Sequence, residues 1–432
     1  MSKILGFLTC FYSQIFSTQR RFQALFGILG AIFFSLFIYL EYFKINSALI
    51  PTISALLSLF IYFNLTRFGG FIFGFFIGIF WFYWIGFSFR YYNFNYFIPI
   101  ASLLIALVYG ILFYFFTFFK NIFFRILTLS CASFIQPFNF NWFIPEITLI
   151  NSYFFASKIN LILLLSAIAI FSFLFSKQHY KSAILPLFLG ISFSFFYNPY
   201  QKATIGNVEI KTTQTQIPQA LKWSKEGLNA VILNNFTLID NAINTQQKIV
   251  ILPETAFPIA LNTSENLITA LKQKSEHIAI ITGGVTKDEN RYYNSAYVFN
   301  KGQMQVVNKV ILVPFGESIP LPRFLANIIN KIFFNNNGGF DLPPNDKPQD
   351  IFINDEVFRI AICYEATRQE FFKDSPKNLI AISNNAWFHP SIESTLQKLL
   401  MQYFSNLYGT NIYHSSNFSQ DFILNPIFPK RF

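Results

Sequence analysis

One cysteine follows an apolar segment that is typical of a buried strand. Cys363 comes directly after Val357-Phe358-Arg359-Ile360-Ala361-Ile362 and is followed by Tyr364 and Glu365. A thiol at the end of a strand can act as a nucleophile, because the backbone N–H groups of the turn that follows can bind the oxyanion formed on attack. A buried structural cysteine is the alternative, and for an isolated cysteine it would be the more common case.

Two charged residues elsewhere in the chain favour the nucleophile. Glu254 follows the apolar segment Ile249-Val250-Ile251-Leu252, after one proline, and Lys309 lies within Val306-Val307-Asn308-Lys309-Val310. A charge in or beside a buried strand is costly unless it has a partner. We therefore predict that a base, a cation and a thiol, each carried by its own strand, form one site.

The composition divides the chain near residue 198. Residues 1–198 carry nearly all of the long apolar segments and only two acidic residues, Glu41 and Glu146. Residues 199–432 alternate strand-like and helix-like segments, as a layered α/β domain does. Most of the net charge of +11 belongs to the apolar part, so it indicates no nucleic-acid partner. The cysteines have no metal-binding or disulfide spacing: Cys10, Cys131 and Cys363.

The apolar part is predicted to cross a membrane about seven times. A transmembrane helix needs roughly 20 apolar residues, and the second, fifth and seventh segments are shorter than the others. The predicted spans are 22–40, 47–63, 68–89, 97–119, 121–136, 159–176 and 182–197. Basic residues favour the cytoplasmic side. With the N-terminus inside, the cytoplasmic segments and span ends carry Lys3, Arg20, Arg21, Arg67, Lys120, Arg125, Lys177 and Lys181. The opposite side carries only Lys44, Arg90 and Lys158. This bias predicts that residues from 199 onward lie on the outer face.

The glycine- and aromatic-rich segment 68–92 allows two interpretations. Its glycines permit close helix packing, and Trp81, Tyr83 and Trp84 approach the predicted outer end. The structural interpretation is an aromatic belt at the membrane interface, from which Arg90 extends toward the surface. The functional interpretation is a docking place for a phospholipid headgroup.

Motifs in both parts of the chain resemble a known family. The segments that contain Glu254, Lys309 and Cys363 match the Glu–Lys–Cys triad of the nitrilase superfamily. Together with the seven spans, they make the chain resemble the apolipoprotein N-acyltransferase family. The motifs that carry this resemblance are Gly70 to Ser88, Gln214-Thr215-Gln216-Ile217-Pro218-Gln219-Ala220-Leu221-Lys222-Trp223, Pro253-Glu254, Tyr293-Asn294-Ser295, Asn308-Lys309, Val313-Pro314-Phe315-Gly316-Glu317, Cys363-Tyr364-Glu365 and Asn384-Asn385-Ala386-Trp387-Phe388.

The resemblance implies a fold and a location. A membrane α-helical bundle of about seven spans, residues 1–198, would precede an α/β nitrilase-like domain, residues 199–432. That domain would be an α-β-β-α sandwich. The protein would be a multi-pass monomer of the bacterial inner membrane, and its catalytic domain would lie on the periplasmic face.

The resemblance also implies a two-step acyl transfer without a cofactor or a metal. Glu254 would act as general base toward Cys363. The thiolate would take an acyl chain from a membrane phospholipid, with phosphatidylethanolamine as the expected donor. Lys309 and the backbone N–H of Tyr364 would stabilise the oxyanion. The thioester would then pass its acyl chain to the α-amino group of a diacylglyceryl-modified lipoprotein.

Four further residues are expected to support the site or bind substrate. In the family, the positions that match Glu317 and Glu365 support the lysine and the cysteine loop, whereas simple surface carboxylates are the alternative. Trp223 matches a mobile loop that guards the acyl site, although a tryptophan is more often a core residue. The side chain of Tyr364 is expected beside the acyl path.

The chain departs from the family pattern at two places. Family members usually return to the membrane with a final helix, and the end of this sequence contains no apolar span. The family also tends to have a Gln-His pair where this chain has Gln397-Lys398. Neither departure involves a triad position.

Two other functions share parts of this pattern. A membrane-tethered amidase or nitrilase would use the same triad and transfer the acyl group to water, so only a test of the acceptor separates it from a transferase. A non-enzymatic membrane scaffold or transporter is the second alternative. The intact triad and the shortage of ionisable residues within the spans disfavour it.

Overall fold

The N-terminal half is an apolar helical bundle. The structure, a computed structural model, describes residues 19–202, 208–289, 291–314, 316–318 and 343–426. A 3-10 helix, Tyr83–Tyr92, continues the third bundle helix toward the C-terminal domain. The α-helices of this half are Arg20–Tyr42, Leu49–Asn64, Arg67–Phe82, Phe97–Phe116, Ile122–Ser130, Lys158–Ser176 and Tyr180–Phe196.

Fewer helices than expected are long enough to cross a membrane by themselves. Among the described residues, four reach that length and apolarity: Arg20–Tyr42, Arg67–Tyr91, Phe97–Phe116 and Lys158–Ser176. Leu49–Asn64 and Tyr180–Phe196 are shorter apolar helices. The expected span 121–136 differs most, because its α-helix covers only the nine residues Ile122–Ser130 and short 3-10 turns follow.

Arg125 lies within this short helix and is buried against the ends of two other helices. Its side chain is only 3% exposed, although its sequence position predicted a cytoplasmic end. The backbone carbonyls that end two neighbouring helices lack partners within their own helices and carry the negative end of the helix dipole. The guanidinium donates to five backbone carbonyls at 2.8 to 3.2 Å, those of Tyr62, Phe63, Leu65, Thr117 and Phe119.

Successive helix ends alternate between a face that contacts the C-terminal domain and a face that points away from it. Glu41, the segment Tyr83–Tyr92 and loop 137–157 contact the domain. At the opposite end, Ser172 donates to Asn64. Among the described residues, the far end carries the basic side chains of Arg20, Arg21, Arg67, Lys120, Arg125, Lys177 and Lys181. The domain end of the bundle carries those of Lys44, Arg90 and Lys158.

The C-terminal domain contains two six-stranded sheets. Its strands are β1 (Ile210–Thr212), β2 (Gln214–Thr215), β3 (Ile249–Ile251), β4 (Phe257–Ala260), β5 (Ala279–Asp288), β6 (Arg291–Asn300), β7 (Gln303–Asn308), β8 (Asp350–Ile353), β9 (Glu356–Ile362), β10 (Asn378–Asn384), β11 (Asn411–Asn417) and β12 (Phe422–Leu424). The first sheet has the order β1-β3-β5-β6-β7, with β4 beside β5. The second has the order β12-β11-β10-β9-β8, with β2 beside β11.

The two sheets pack face to face between helical layers, which confirms the expected α-β-β-α sandwich. Strand side chains alternate between the two faces of a sheet. Ile249 and Ile251 accordingly face the core between the sheets, whereas Val250 packs toward the outer helices. The outer layer of the first sheet is formed by Lys225–Asn244 and Glu265–Lys274, and that of the second by Glu393–Tyr408. The last helix shares its apolar core with the membrane bundle.

Both acidic residues of the bundle half contact the C-terminal domain. Glu41 accepts from Lys398 at 2.7 Å. The buried carboxylate of Glu146 accepts from the Tyr403 hydroxyl at 3.0 Å and also pairs with Lys158 at 3.0 Å. Lys398 belongs to the pair that departs from the family pattern, and in this chain it joins the two halves.

Candidate active site

Cys363 lies at a sharp turn between β9 and a 3-10 helix. The strand ends at Ile362, and the helix Cys363–Thr367 begins at once. Cys363 has a positive φ of 57°, which is uncommon for a residue with a side chain and occurs mainly at sites that the surrounding structure holds in place. The side chain is partly buried and lines a cavity. The strand-to-helix turn therefore presents the thiol to that cavity, as the sequence predicted.

Glu254 follows β3 in a similarly constrained turn. The next residue, Thr255, has a φ of 51°. Gly283 of the neighbouring strand β5 packs against this turn so closely that an added Cβ would lie 2.3 Å from the Thr255 nitrogen. Its N–H donates to the Pro253 carbonyl at 3.1 Å. Only glycine permits this approach, which fixes the backbone that carries Glu254.

Lys309 follows β7 and is enclosed by carboxylates. Its side chain is 1% exposed, and its Nζ lies 2.8 Å from Glu317 Oε2 and 3.7 Å from Glu254 Oε1. Asn294 connects the two acids, because its Nδ2 donates to Glu254 Oε1 at 2.7 Å and to Glu317 Oε1 at 2.9 Å. The amide and the ammonium together hold the Glu254 carboxylate in one orientation.

Glu365 connects the cysteine turn to the lysine segment. Its buried carboxylate accepts the N–H of Ile362 at 2.7 Å, which fixes the strand end before the thiol. It also accepts the N–H of Val310 at 2.5 Å and that of Ile311 at 2.9 Å, directly after Lys309. The structure thus gives Glu365 contacts that can set the distance between the two triad segments.

Burial and charge act in opposite directions on the ionisable groups of the site. Burial, reinforced by Glu254, raises the pKa of the Cys363 thiol well above its ordinary value, although Lys309 acts against this. Burial alone would lower the pKa of Lys309, but Glu317 and Glu254 outweigh it and raise that pKa above its ordinary value. Burial raises the pKa of Glu365 to about 7, against the effect of Lys309 and of three N–H donors. These shifts favour a neutral thiol beside a protonated lysine.

The cavity that contains these groups is formed mainly by the C-terminal domain and borders the helical bundle at Ser88. Its volume is about 470 Å3, and Ser88 of the bundle forms part of its wall together with Trp223 and Phe388 of the domain. Trp223 is 53% exposed, so it lies at the open rim and not in the core. The lining also includes Gln219, Glu254, Thr255, Ile259, Ala260, Val285, Tyr292, Tyr293, Asn294, Lys309, Val313, Gly316, Glu317, Cys363, Asn384 and Trp387.

The side chain of Tyr364 points away from this cavity. It is 2% exposed, its ring stacks on Phe140 at 5.8 Å, and its hydroxyl accepts the N–H of Asn141 at 3.0 Å. The side chain of Tyr364 therefore does not line this cavity, and its expected position beside the acyl path stays a prediction. The Tyr364 backbone N–H, the second of a 3-10 helix, has no acceptor within that helix and remains next to the thiol.

The aromatic segment 68–92 is also not a lipid-facing belt at its outer end. Trp81 and Trp84 are buried, and Trp84 packs edge-on against Phe388 at 4.8 Å. Tyr91 donates to the Ala386 carbonyl at 2.7 Å, and Arg90 donates to the His389 carbonyl at 2.9 Å. This segment holds the cavity wall of the catalytic domain against the bundle.

Several polar residues of the site had no role in the sequence analysis. Asn417 Oδ1 accepts the N–H of Ile217 at 2.9 Å, so its Nδ2 donates to Asn384 Oδ1 at 2.9 Å. Asn384 Nδ2 in turn donates to Gln219 Oε1 at 3.0 Å. This chain of amides fixes Gln219 at the cavity wall. The motifs 214–223, 293–295 and 384–388 indicated these segments but not which side chains interact.

Comparisons with known proteins decide the family. The family model described as the apolipoprotein N-acyltransferase integral membrane domain matches residues 21–194. The chain is 42% identical over 401 residues to apolipoprotein N-acyltransferase of Wolinella succinogenes, covering 93% of this chain and 95% of the relative. It is 38% identical over 383 residues to apolipoprotein N-acyltransferase of Helicobacter pylori, covering 88% of each. The chain belongs to the apolipoprotein N-acyltransferase family.

Membership in the apolipoprotein N-acyltransferase family makes this membrane protein an acyltransferase and excludes a non-enzymatic scaffold or transporter. It also agrees with the helical bundle and the nitrilase-like sandwich described above. Among solved structures, Nit3 of Saccharomyces cerevisiae, a member of branch 10 of the nitrilase superfamily, aligns with a TM-score of 0.38 and 16% identity. The alignment covers 53% of this chain and 85% of Nit3.

Proposed function

We propose that this acyltransferase moves an acyl chain from a phospholipid, through a thioester on Cys363, to the α-amino group of a diacylglyceryl-modified lipoprotein. The observation that carries the proposal is the position of the cavity. It joins Glu254, Lys309 and Cys363 to Ser88 of the membrane bundle, so a lipid can reach the thiol without leaving the membrane surface. Apolar wall residues suit an acyl chain: Ile259, Ala260, Val285, Val313 and Phe388.

The first step forms the thioester. Glu254 takes the proton of the Cys363 thiol, and the sulfur attacks the ester carbonyl carbon of the phospholipid. Lys309 and the N–H of Tyr364 stabilise the negative charge on the carbonyl oxygen. The C–O bond to glycerol then breaks, and the leaving oxygen takes the proton from Glu254 to give a lysophospholipid.

The second step transfers the acyl chain. The neutral α-amino group of the lipoprotein cysteine attacks the thioester carbonyl, and the same oxyanion donors act again. Glu254 accepts a proton from the nitrogen as the C–N bond forms. The C–S bond breaks, and the thiolate of Cys363 recovers that proton. No redox change occurs, and the atoms of the two substrates account for both products.

A membrane-tethered hydrolase that passes the thioester to water is the competing function. Purified protein, a phospholipid with a labelled acyl chain and a diacylglyceryl-cysteine peptide distinguish the two. We expect labelled N-acyl peptide and lysophospholipid in equal amounts, as seen by mass spectrometry. Release of free fatty acid at the same rate with and without the peptide would instead identify a hydrolase. Replacing phosphatidylethanolamine with phosphatidylglycerol in the same assay tests the expected donor.

We also propose an orientation, with the catalytic domain on the periplasmic face of the inner membrane. It is supported by the excess of basic residues at the bundle end that faces away from the domain. A reporter enzyme that is active only in the periplasm should be active when fused after residue 432. It should be inactive when inserted between Ser176 and Tyr180. The reverse pattern would refute the orientation and remove the access to exported lipoproteins.

A further inference from the structure

A second buried ammonium group lies beside Glu254. Lys222 ends the short helix Gln219–Lys222, and its side chain is 1% exposed. Its Nζ donates to the backbone carbonyl oxygen of Glu254 at 3.1 Å. Within the described part of the chain, no carboxylate forms an ion pair with it. Burying a lysine in this way is costly, so its position suggests a role in the site.

The hydrogen bond of Lys222 adds a backbone contact to the support around Glu254. Asn294 holds the carboxylate, as described above, and Gly283 packs against the Cα side of the turn. Lys222 binds a third point of the residue, its backbone carbonyl oxygen. The same short segment continues into Trp223 at the cavity rim. Lys222 therefore connects the wall of the cavity to the backbone of the base.

The charge of Lys222 also favours an ionised base. Burial lowers the pKa of Lys222 to about 8, although the Glu254 carboxylate opposes that shift. The ammonium is therefore still mainly protonated at neutral pH. Glu317 accepts a hydrogen bond from the same Asn294 amide as Glu254 does. The buried Glu393 is also nearby, because Glu254 contributes to raising the pKa of Glu393. Lys309 is the cation nearest to the Glu254 carboxylate, at 3.7 Å, and Lys222 adds a second positive charge on the backbone side of the same residue.

We infer that Lys222 is a positioning residue for Glu254, which fixes the backbone of the base and favours the carboxylate form that accepts the thiol proton. The inference rests on the part of the proposed function that makes Glu254 the base toward Cys363. It does not depend on the identity of the acyl acceptor.

Alkylation of Cys363 tests this inference without either lipid substrate. In a Cys10→Ser, Cys131→Ser background of the full chain, Cys363 is the remaining thiol, and iodoacetamide modification is followed by intact mass against pH. At low pH the alkylation rate rises with pH, and Lys222→Met should move this acidic limb of the profile to higher pH by about one unit. The reason is that loss of a neighbouring cation disfavours the charged form of a carboxylate by roughly this much. The rate within that limb should fall about tenfold.

Three variants make the result specific to the role of Lys222. Lys222→Arg should restore most of the rate, because it keeps the charge and the donor. Lys225→Met, which removes an exposed lysine three residues along the chain, should match the parent. Glu254→Gln should remove the acidic limb altogether. With a labelled phospholipid, Lys222→Met should lower the rate constant of thioester formation at saturating donor and leave the apparent KM unchanged.

An unchanged pH profile in Lys222→Met would overturn the inference. A lower melting temperature with an unshifted limb would also overturn it, since that pattern describes a purely structural lysine. The proposed function is judged separately by the peptide acylation assay. A protein that shows the Lys222 effect on alkylation but does not acylate the peptide would refute the proposed acceptor and leave the role of Lys222 supported.

Discussion

The bundle and the catalytic domain each bury a cation, and they stabilise it in different ways. Arg125 of the bundle is 3% exposed and is satisfied by five backbone carbonyls. Lys309 of the domain is 1% exposed and is surrounded by carboxylates, of which Glu317 is at 2.8 Å and Glu254 at 3.7 Å. Backbone carbonyl groups do not gain or lose protons, so the groups around Arg125 cannot take part in proton transfer. The Lys309 cluster contains groups that can, which is what proton transfer at a thiol requires.

The same difference appears in how the two halves use acids. The described bundle contains Glu41 and Glu146, and both contact the domain, where they help to hold the halves together. The domain instead gathers Glu254, Glu317 and Glu365 around Lys309 and the Cys363 thiol. Under the proposed function, charge has a structural role in the bundle and a chemical role in the domain.

Cys363→Ala should abolish the covalent acyl intermediate. No other cysteine lies in the catalytic half of the sequence, so no thioester can form there. Incubation with labelled phospholipid, followed by denaturing gel electrophoresis, should show no hydroxylamine-sensitive band. Cys131→Ala, in the bundle, is the matched control and should keep the band. N-acylation at the wild-type rate by Cys363→Ala, in a strain without another such enzyme, would contradict the mechanism.

Lys309→Met should slow acylation and preserve the binding of phospholipid. The variant keeps a side chain of similar length and removes the donor. Loss of one oxyanion donor costs about 3 kcal/mol, or roughly a hundredfold or more in rate. Thioester formation measured at saturating donor gives this rate directly. Normal thioester formation with slow transfer to the peptide would assign Lys309 to the second step. Normal rates in both steps would make it only an ion-pair partner of the acids.

Arg125→Met should have the opposite profile, with a large effect on stability and a small one on catalysis. It leaves five backbone carbonyls of the bundle without their donor, and each buried unsatisfied group costs about 1–3 kcal/mol. The melting temperature in detergent should fall clearly, while the rate per folded molecule stays near that of the parent. Arg21→Met, at an exposed position of the same face, should change neither. A catalytic loss without a stability loss would remove the contrast with Lys309.

Glu393→Gln should have the smallest effect, and it should depend on pH. Burial raises the pKa of Glu393 from 4.5 to about 8, with a further contribution from Glu254. Between these pH values the folded protein keeps a proton that the unfolded chain has lost, so stability falls as the pH rises through this window. Glutamine has no such titration. The melting temperature of the variant relative to the parent should therefore increase from about pH 5 to about pH 8, and a constant difference would contradict the raised pKa.

The two halves and the segments of the site could be read from the sequence. Apolar length separates the bundle from the domain, and continuously apolar strands such as β3 indicate a sheet that is buried on both faces. The sandwich was implied by the family resemblance. Because Glu254, Lys309 and Cys363 each follow a strand, their segments could be predicted to meet. These features depend on the local sequence pattern of apolar and polar residues, which a short segment already contains, and on motifs that a family shares.

The tertiary structure alone decided which side chains interact around those segments. Arg125 looks like a membrane-edge residue in the sequence, and only the packing of three helices brings five carbonyls to it. Tyr364 follows Cys363, but its ring contacts a loop more than two hundred residues away, where the N–H of Asn141 donates to its hydroxyl. Lys222 reaches the carbonyl of Glu254 across a separation of 32 residues. Such contacts follow from how the layers are stacked, so hydrophobic periodicity within one segment cannot specify them.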